Sequence, residues 1–154
     1  SHHYGLFYNG DLISVATFIQ QSSRKFIKKS TNNDEYELVR YCTKGDTLII
    51  GGLSKLINNA STILNANIFT YCDLNWGYND SYIKAGFSYI GDTGPGFYYI
   101  SNNKRYNRFH FAKFRQSRLF SNYDKELTER ENCFRNGIDV VYTPGNSKFI
   151  FFIK

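Results

Sequence analysis

Short runs of apolar and β-branched residues alternate with polar turns through most of the chain, and this pattern predicts more strands than helices. The runs at 4–8 and 12–18 flank an Asn-Gly-Asp turn, which is typical of a β-hairpin. Two later runs flank a Pro-Gly-Asn turn at 144–146 and predict a closing hairpin. A helix is predicted at 126–136, with Thr128 as its cap. We therefore predict an α+β fold with a single mixed β-sheet flanked by helices.

The middle of the chain predicts two consecutive strand-to-helix steps. A strand at 36–42 leads through the paired glycines Gly51 and Gly52 into a helix whose apolar residues recur at helical spacing. A short apolar strand at 68–71 is followed by one or two helical turns at 80–85. Because backbone N–H groups are unpaired at the start of a helix, a glycine-opened turn of this kind can face an anionic ligand. The sequence therefore predicts a pocket at these two steps.

Composition and length favour one well-packed domain. The chain has 14 Phe and 13 Tyr but a single Trp and no Met, and so many aromatic rings require a packed core. With 154 residues, the chain is long enough for one hydrophobic core and short for two. We expect residues 4–154 to form a single domain excised from a longer protein, and residues 1–3, Ser-His-His, to be a cloning remnant.

Cysteine usage bears on metals and on compartment. Cys42, Cys72 and Cys133 lack the paired spacing of a zinc site, so no metal centre is expected. Cys42 and Cys72 lie in apolar strand-like segments, where free cysteines behave as small hydrophobic residues. Free cysteines favour a reducing, intracellular compartment, which we take to be the cytoplasm. No apolar run is long enough to cross a bilayer, and no membrane partner is expected.

A basic segment between Lys104 and Arg118 predicts a nucleic-acid partner. The chain has a net charge of +6, and this segment concentrates positive charge without any acidic residue. Phe109, Phe111 and Phe114 interleave with the basic residues, and we expect these rings to anchor them. The alternatives are a solvated basic face and, for the histidine, simple packing, but charge excess and clustering agree on DNA phosphates. The candidate contacts are Lys104, Arg105, Arg108, His110, Lys113, Arg115 and Arg118.

A second group of candidates follows the buried strand at 68–71. Asp73 ends this strand, which is where open α/β sheets commonly place functional side chains. Its carboxylate would act either as a general base or as a cap for the following loop. Asn75 and Trp76 lie beside it, and Trp76 is suited to stacking on a base or closing the pocket. We therefore expect these three residues to border the predicted pocket.

Two segments resemble motifs of the GNAT N-acyltransferase superfamily. Ile50-Gly51-Gly52-Leu53-Ser54 stands at the glycine turn, and residues 82–87 match the family's Tyr-x-x-x-Gly-Phe segment. Their order and separation also agree with the family. The resemblance implies a GNAT-like fold, an acyl-CoA cofactor and a tyrosine, Tyr82, that protonates the leaving thiolate. The cofactor-binding residues that it implies are Gly51, Gly52, Ser54 and Lys55.

These assignments have structural alternatives. Lys55 would equally be an exposed helix lysine, and Tyr82 a core residue of a short helix. Glu37 and Arg40 lie three apart on one strand, so we expect them to face opposite sides of the sheet. Either they form ion pairs with a neighbouring strand, or one of them enters the pocket. There Glu37 would act on a nucleophile and Arg40 would contact nucleic acid.

Most of the chain also resembles domains of phage and mobile-element proteins, often at the C-terminal end of homing-endonuclease-type proteins. It is similar, more distantly, to the Mom DNA-modification protein of phage Mu. The resemblance implies DNA as the partner, an upstream nuclease domain in the full-length chain, and the cytoplasm of the host cell as the location. No nuclease motif is visible in this sequence. The shared pieces are 5–8, 12–15, 36–40, 51–56, 71–76, 82–87, the basic segment, 128–131 and 145–149.

Two functions of different class follow. In the first, the chain is a DNA-binding or target-recognition module of a homing-endonuclease-type protein. In the second, it is a Mom-like N-acyltransferase-type enzyme that modifies a DNA base. The GNAT turn starts with Gln or Arg three residues before its first glycine, and this chain has Leu48 or Ile49 there. That departure weighs against acyl-CoA, so the DNA-binding module is the favoured hypothesis.

Overall fold

The chain divides into two compact units in the computed structural model. The first unit comprises Ser1–Thr93 and Asn146–Lys154, and the second comprises Gly94–Gly145. The second unit is therefore an insertion in the sequence of the first. A polar loop expected at 22–34 lies outside the residues that the structure describes. The described residues are 1–21, 35–76 and 80–153.

Strands predominate over helices among the described residues. The α+β class is thereby confirmed. No helix in this part of the chain has both the length and the apolar character needed to span a membrane. In chain order the strands are β1 (His2–Tyr8), β2 (Asp11–Gln20), β3 (Glu35–Thr43), β4 (Asn67–Asp73), β5 (Ser88–Asp92), β6 (Gly96–Ser101), β7 (Lys104–Asn107), β8 (Asp139–Thr143) and β9 (Asn146–Phe151). The helices are α1 (Gly52–Leu64), α2 (Asp80–Lys84), α3 (Lys113–Leu119) and α4 (Glu129–Arg135), with a 3-10 helix at Arg108–Phe111.

The first unit is built on a six-stranded mixed sheet with the strand order β1-β2-β3-β4-β9-β5. β3 and β4 are parallel, and every other neighbouring pair is antiparallel. α1 connects the two parallel strands, because a parallel pair needs a long crossover. Leu56, Ile57 and Ala60 recur on one side of α1 and are buried in the core of this unit. A mixed sheet with a covering helix is therefore present, as predicted.

The parallel pairing of β3 and β4 is short. The two strands pair over three residues, and the ladder ends at the pair Glu37–Phe69. Beyond it, β3 remains paired with β2, and β4 with β9, to the last residue of each strand. The Thr70 hydroxyl donates to the Leu38 carbonyl at 3.0 Å, just past the last ladder pair. The sheet therefore opens in its middle, towards the carboxyl ends of both parallel strands.

The opening hairpin is confirmed by the antiparallel pairing of β1 with β2. The residues expected to be a cloning remnant take part in it. His2 lies opposite Phe18 and packs its ring edge-on against Tyr36, with 5.4 Å between the ring centroids. His3 lies opposite Thr17, and its Nδ1 is 3.1 Å from the Thr17 hydroxyl. The first strand therefore begins at His2 rather than at the predicted fourth residue.

The second unit has its own three-stranded antiparallel sheet, in the order β7-β6-β8. Asn102 and Asn103 join β6 to β7 with φ values of 50° and 58°. Two consecutive left-handed residues form the type I′ turn that suits a two-residue hairpin. The sheet, the 3-10 helix and the helices enclose a separate core of Tyr99, Phe111, Phe120, Cys133 and Ile138.

The predictions of a single sheet and of a closing hairpin are wrong. β8 pairs with β6 in the second unit, whereas β9 pairs with β4 and β5 in the first. Pro144 and Gly145 therefore connect strands of two different sheets. The reason is that an alternating apolar pattern shows that a strand has a buried face but does not specify the strand beside it.

Gln116 and Glu129 link the helices of the second unit to its core. Gln116, which is fully buried, donates its amide to the carbonyls of Phe111 at 2.9 Å and Glu129 at 2.8 Å. The Glu129 carboxylate accepts from the Tyr99 hydroxyl at 2.7 Å and from the Lys113 N–H at 3.1 Å. Burial, followed by the hydrogen bond to Glu129, raises the pKa of Tyr99 above its usual range. Tyr99 therefore stays a neutral donor that fixes the start of α4.

The predicted cap of the helix after residue 126 is confirmed and allows a test of the second unit's stability. The Thr128 hydroxyl accepts from the Glu131 N–H at 3.3 Å, and the Glu131 carboxylate accepts from the Thr128 N–H at 2.7 Å. We expect Thr128→Ala to lower the free energy of unfolding by about 1 kcal/mol, because it removes the hydroxyl that accepts from the Glu131 N–H, whereas the backbone N–H of residue 128 is kept. Ser117→Ala, at an exposed position of α3, is the control and should change it by less than about 0.5 kcal/mol. Urea denaturation measures both, and an equal loss in the two variants would contradict the capping role.

Candidate functional site

A cleft of about 800 Å³ lies in the first unit where β3 and β4 separate. One wall is formed by residues 38–41 of β3 and by Thr70 and Tyr71 of β4. The remaining sides are formed by residues 49–51 and the first three residues of α1, and by residues of and beside α2. A pocket is therefore present where the two strand-to-helix steps meet.

The two glycines at the start of α1 are required for different reasons. Gly51 has a φ of 70°, in the left-handed region that favours glycine. Gly52 has an ordinary backbone but no room for a side chain. A Cβ there would lie 2.7 Å from Ile49 Cγ2 and 2.9 Å from the Tyr41 hydroxyl. Gly51 and Gly52 therefore line the cleft with backbone atoms that carry no side chain.

The lining of the cleft favours an anion. Arg40 and Lys84 line it, and no carboxylate does among the residues that the structure describes. α1 begins without a side-chain cap and without an acidic residue in its first turn. Because the N-terminus of a 13-residue helix carries partial positive charge, negative charge is stabilised at this end of the cleft. The arrangement suits a phosphate-bearing ligand.

A β-bulge in β3 changes the direction of the side chains on this wall. Glu37 pairs with Ile19 and Arg40 with Thr17, so Val39 is an extra residue on β3. Because Thr17 and Ile19 lie two apart on β2, Glu37 and Arg40 lie on the same face of the sheet. The prediction that these two residues face opposite sides is therefore wrong. Arg40 is exposed at the cleft, whereas Glu37 is nearly buried where β3 and β4 are still paired.

Tyr82 lines the cleft from α2 and is held there by aromatic packing. Its ring centroid lies 5.6 Å from that of Phe87 in a T-shaped contact and 5.5 Å from that of Phe149 in a tilted one. The side chain is half-buried. Tyr82 therefore both packs on the core and lines the cleft, so its position is compatible with either of the two expected roles.

The lysine at the cleft is not the one that the sequence predicts. Lys84 lines the cleft, and Lys55 lines a different hollow of the first unit together with Gly5 and Leu6 of β1. The reason is helical geometry, since each residue of α1 is rotated by about 100° from the one before, and Ser54 already faces the cleft. Tyr41 is a second lining residue that the sequence analysis missed. Its place near the end of β3 is the signal that could have found it, by the same rule that pointed to the end of β4.

The three candidates at the end of β4 and just after it are joined by hydrogen bonds that cap the following loop. The Asp73 carboxylate accepts from the backbone N–H and from the side-chain amide of Asn75, both at 2.9 Å. The backbone N–H of Trp76 donates to the Asp73 carbonyl at 3.1 Å, and Trp76 is 87% exposed. None of the three is among the described residues that line the cleft. The structure therefore has the capping arrangement for Asp73, and leaves Trp76 as an exposed ring.

The basic segment lies entirely in the second unit and follows three consecutive elements. Lys104 and Arg105 belong to β7, Arg108 and His110 to the 3-10 helix, and the remaining three to α3. All seven side chains are exposed. No acidic group of the described residues forms an ion pair with any of them. The segment therefore presents positive charge that no ion pair among the described residues neutralises, although Lys113 attracts the Glu131 carboxylate.

Aromatic rings accompany the arginines of this segment. Arg105 lies over the ring of Tyr98 at 4.0 Å, Arg108 over Phe109 at 4.8 Å and Arg115 over Phe114 at 5.6 Å. Of the three phenylalanines expected to anchor the segment, Phe111 is buried, but Phe109 and Phe114 are largely exposed. His110 packs against Tyr106 and Phe111, with centroid distances of 4.7 Å to both, which agrees with its packing role. Two of the three rings are therefore part of the surface.

Comparisons with known proteins do not assign this chain to a family. No family model matches the chain, and no curated protein does. The resemblances described above stay predictions. The features that bear on function are the chemistry of the cleft and that of the basic segment.

The close packing at the glycine pair leads to a prediction. We expect Gly52→Ala to lower the free energy of unfolding by about 1–3 kcal/mol, because the added methyl group overpacks the turn against Ile49 and Tyr41. Gly45→Ala is the matched control, since a Cβ there would have no heavy atom within 4 Å. Urea denaturation compares the two variants with the parent chain. Equal stability of all three proteins would show that Gly52 has room for a side chain.

Proposed function

We propose that this chain is a DNA-binding or target-recognition module of phage or mobile-element origin. It has a GNAT-like fold and acts in the cytoplasm of the host cell, as part of a homing-endonuclease-type protein. One observation supports this above all others. The basic segment presents seven exposed basic side chains on three consecutive elements of the second unit, without ion-pair partners among the described residues.

The chemistry of this surface matches a DNA backbone. Exposed cations that form no ion pair with the part of the chain that the structure describes break no salt bridge there when they bind phosphate. Each phosphate that they neutralise releases condensed counterions, which makes binding favourable and dependent on salt. Arginine, which provides four of the seven residues, also donates bidentate hydrogen bonds to phosphate oxygens. Contacts of this kind bind DNA without reading its sequence.

The basic segment can be tested by removing three of its charges. We expect the triple variant Arg108→Ala, Lys113→Ala and Arg115→Ala to bind every duplex sequence more weakly than the parent chain. The slope of log K against log salt should fall by roughly 0.9 for each phosphate that the variant no longer neutralises. Fluorescence anisotropy at two or more salt concentrations measures both quantities.

A charge-matched control separates the segment from net charge. The triple variant Lys44→Ala, Lys55→Ala and Lys125→Ala removes the same charge from exposed positions outside the segment. We expect it to keep the affinity and the salt slope within about twofold of the parent's, because these lysines belong to no phosphate-binding surface. Equal weakening in the two triple variants would assign binding to net charge and would overturn the proposal.

A second candidate is a Mom-like N-acyltransferase-type enzyme that acts on a DNA base. The cleft supports this second candidate function. β3 and β4 separate beside a helix start that has no side-chain cap, and the lining of the cleft contains two cations and Tyr82. These features fit a CoA-type group, and the bare backbone at Gly51 and Gly52 fits the approach of a phosphate. When bound, an acyl-CoA supplies an activated thioester.

The roles of the chain's own residues follow from their places in the cleft. Gly51, Gly52 and Ser54 hold phosphate at the start of α1, and Arg40 and Lys84 take the place that the sequence analysis assigned to Lys55. Tyr82 holds a proton at its hydroxyl for a departing thiolate. Glu37 and Asp73 do not line the cleft, so neither is given the role of base.

The second candidate is tested at Tyr82. Tyr82→Phe keeps the ring that packs on Phe87 and Phe149 and removes only the hydroxyl. We expect unchanged affinity for acetyl-CoA by calorimetry, and acyl transfer to DNA that is slower by roughly 10²–10⁴-fold. Tyr89→Phe, at an exposed tyrosine of β5, is the control and should leave both unchanged. Absence of acetyl-CoA binding to the parent chain would remove this candidate and would leave the DNA-binding proposal standing.

A further inference from the structure

A hollow of about 360 Å³ in the second unit is lined by two arginine–aromatic pairs. Arg105 of β7 is diagonal to Tyr98 of β6 across the antiparallel ladder, and its guanidinium lies 4.0 Å from the centre of the Tyr98 ring. Arg108 lies 4.8 Å from the centre of the Phe109 ring, which is 60% exposed. The hollow is therefore bordered by two arginine–aromatic contacts, and the ring of Phe109 in one of them is open to solvent.

The backbone fixes both pairs in place. The two-residue turn between β6 and β7 sets the register that brings Arg105 beside Tyr98. Asn107 ends β7, and its side-chain oxygen accepts from the Phe109 N–H at 3.0 Å, which caps the 3-10 helix. Because a strand end and a capped helix start position the backbone of both pairs, little backbone entropy is lost when a flat ligand stacks there.

The choice of residues around the hollow distinguishes it from a simple phosphate-binding surface. The cations that line it are both arginines, and each lies over a ring, whereas Lys104 and Lys113 of the same segment are outside it. Unpaired bases stack on aromatic rings and on arginine guanidinium planes. A base inside a duplex is already stacked on both faces and cannot do so. A surface for phosphate alone would not need an exposed ring such as that of Phe109 beside its arginines.

We infer that this hollow binds an unpaired nucleotide of single-stranded DNA, with the base stacked on an arginine–aromatic pair and the phosphate beside the guanidinium groups. The inference rests on the proposed DNA-binding function and adds the class of substrate to it. Stacking of this kind tolerates any base, because every base has a flat π face. The expected preference is therefore for single strands over duplexes and not for one sequence.

The experiment compares three ligands of equal phosphate number by fluorescence anisotropy at one salt concentration. They are a single-stranded 24-nucleotide DNA of mixed sequence, an otherwise identical strand with abasic sites in place of the central bases, and a 12-base-pair duplex, and every strand has a 5′ phosphate so that each ligand has 24 phosphates. We expect the intact strand to bind at least about fivefold more tightly than the abasic strand, the lower end of the effect of one stacked base. Equal affinity for the intact and abasic strands would overturn the inference while leaving DNA binding intact. Failure of all three to bind would overturn both proposals.

Two variants locate the stacked base. Phe109→Ala should weaken binding of the intact strand by at least about fivefold and leave binding of the abasic strand unchanged. Phe134→Ala is the matched control, because Phe134 is 78% exposed on α4 and does not line the hollow. Circular dichroism confirms that each variant is folded. Unchanged affinity of a folded Phe109→Ala variant would contradict the assignment.

A spectroscopic readout reports on stacking itself. With 2-aminopurine at the central position of the single strand, we expect its fluorescence to be quenched when the parent chain binds. The quenching should be lost with a Phe109→Ala, Tyr98→Leu double variant at saturating protein, and kept with Phe134→Ala. Quenching that persists in the double variant would place the base elsewhere and would overturn the inference.

Discussion

The early end of the parallel ladder between β3 and β4 is the constraint on which the first unit depends. A parallel pair requires a crossover, and α1 supplies it, so its N-terminus comes close to the carboxyl end of β3. Because pairing stops at Glu37–Phe69, the ends of the two strands leave a space that the start of α1 and α2 border. Each strand remains paired on its other side, with β2 or with β9, and this keeps the cleft open.

The second unit holds side chains of like charge close together. The cations of the basic segment repel one another, and no acidic residue of the segment offsets this. Gln116 and Glu129 provide hydrogen bonds to the 3-10 helix, to α3 and to the Tyr99 hydroxyl. Stacking of arginines on rings adds cation–π attraction. Packing, hydrogen bonds and cation–π contacts therefore stabilise a surface on which the positive charges repel one another.

The sequence predicts those parts of the site and fold that depend on neighbouring residues. Thr128 caps its helix, and Gly51 and Gly52 open α1 onto the cleft, as local rules for caps and turns indicate. The errors on strand pairing and on the faces of β3 involve residues distant in sequence. The bulge at Val39 moves Arg40 onto the same face as Glu37, and its cause is the pairing of β3 with β2. No pattern within residues 35–43 reveals it.

By itself, the sequence determined the α+β class, the opening hairpin, the glycine start of α1, the Thr128 cap and the concentration of positive charge between Lys104 and Arg118. These follow from backbone preferences and side-chain chemistry that act within a few residues. Only the tertiary structure decided that β8 and β9 belong to different sheets and that Lys84 rather than Lys55 lines the cleft. It also decided that Phe109 is a surface ring instead of a core anchor. Strand partners and pocket walls depend on which distant segments meet, and local periodicity does not carry that information.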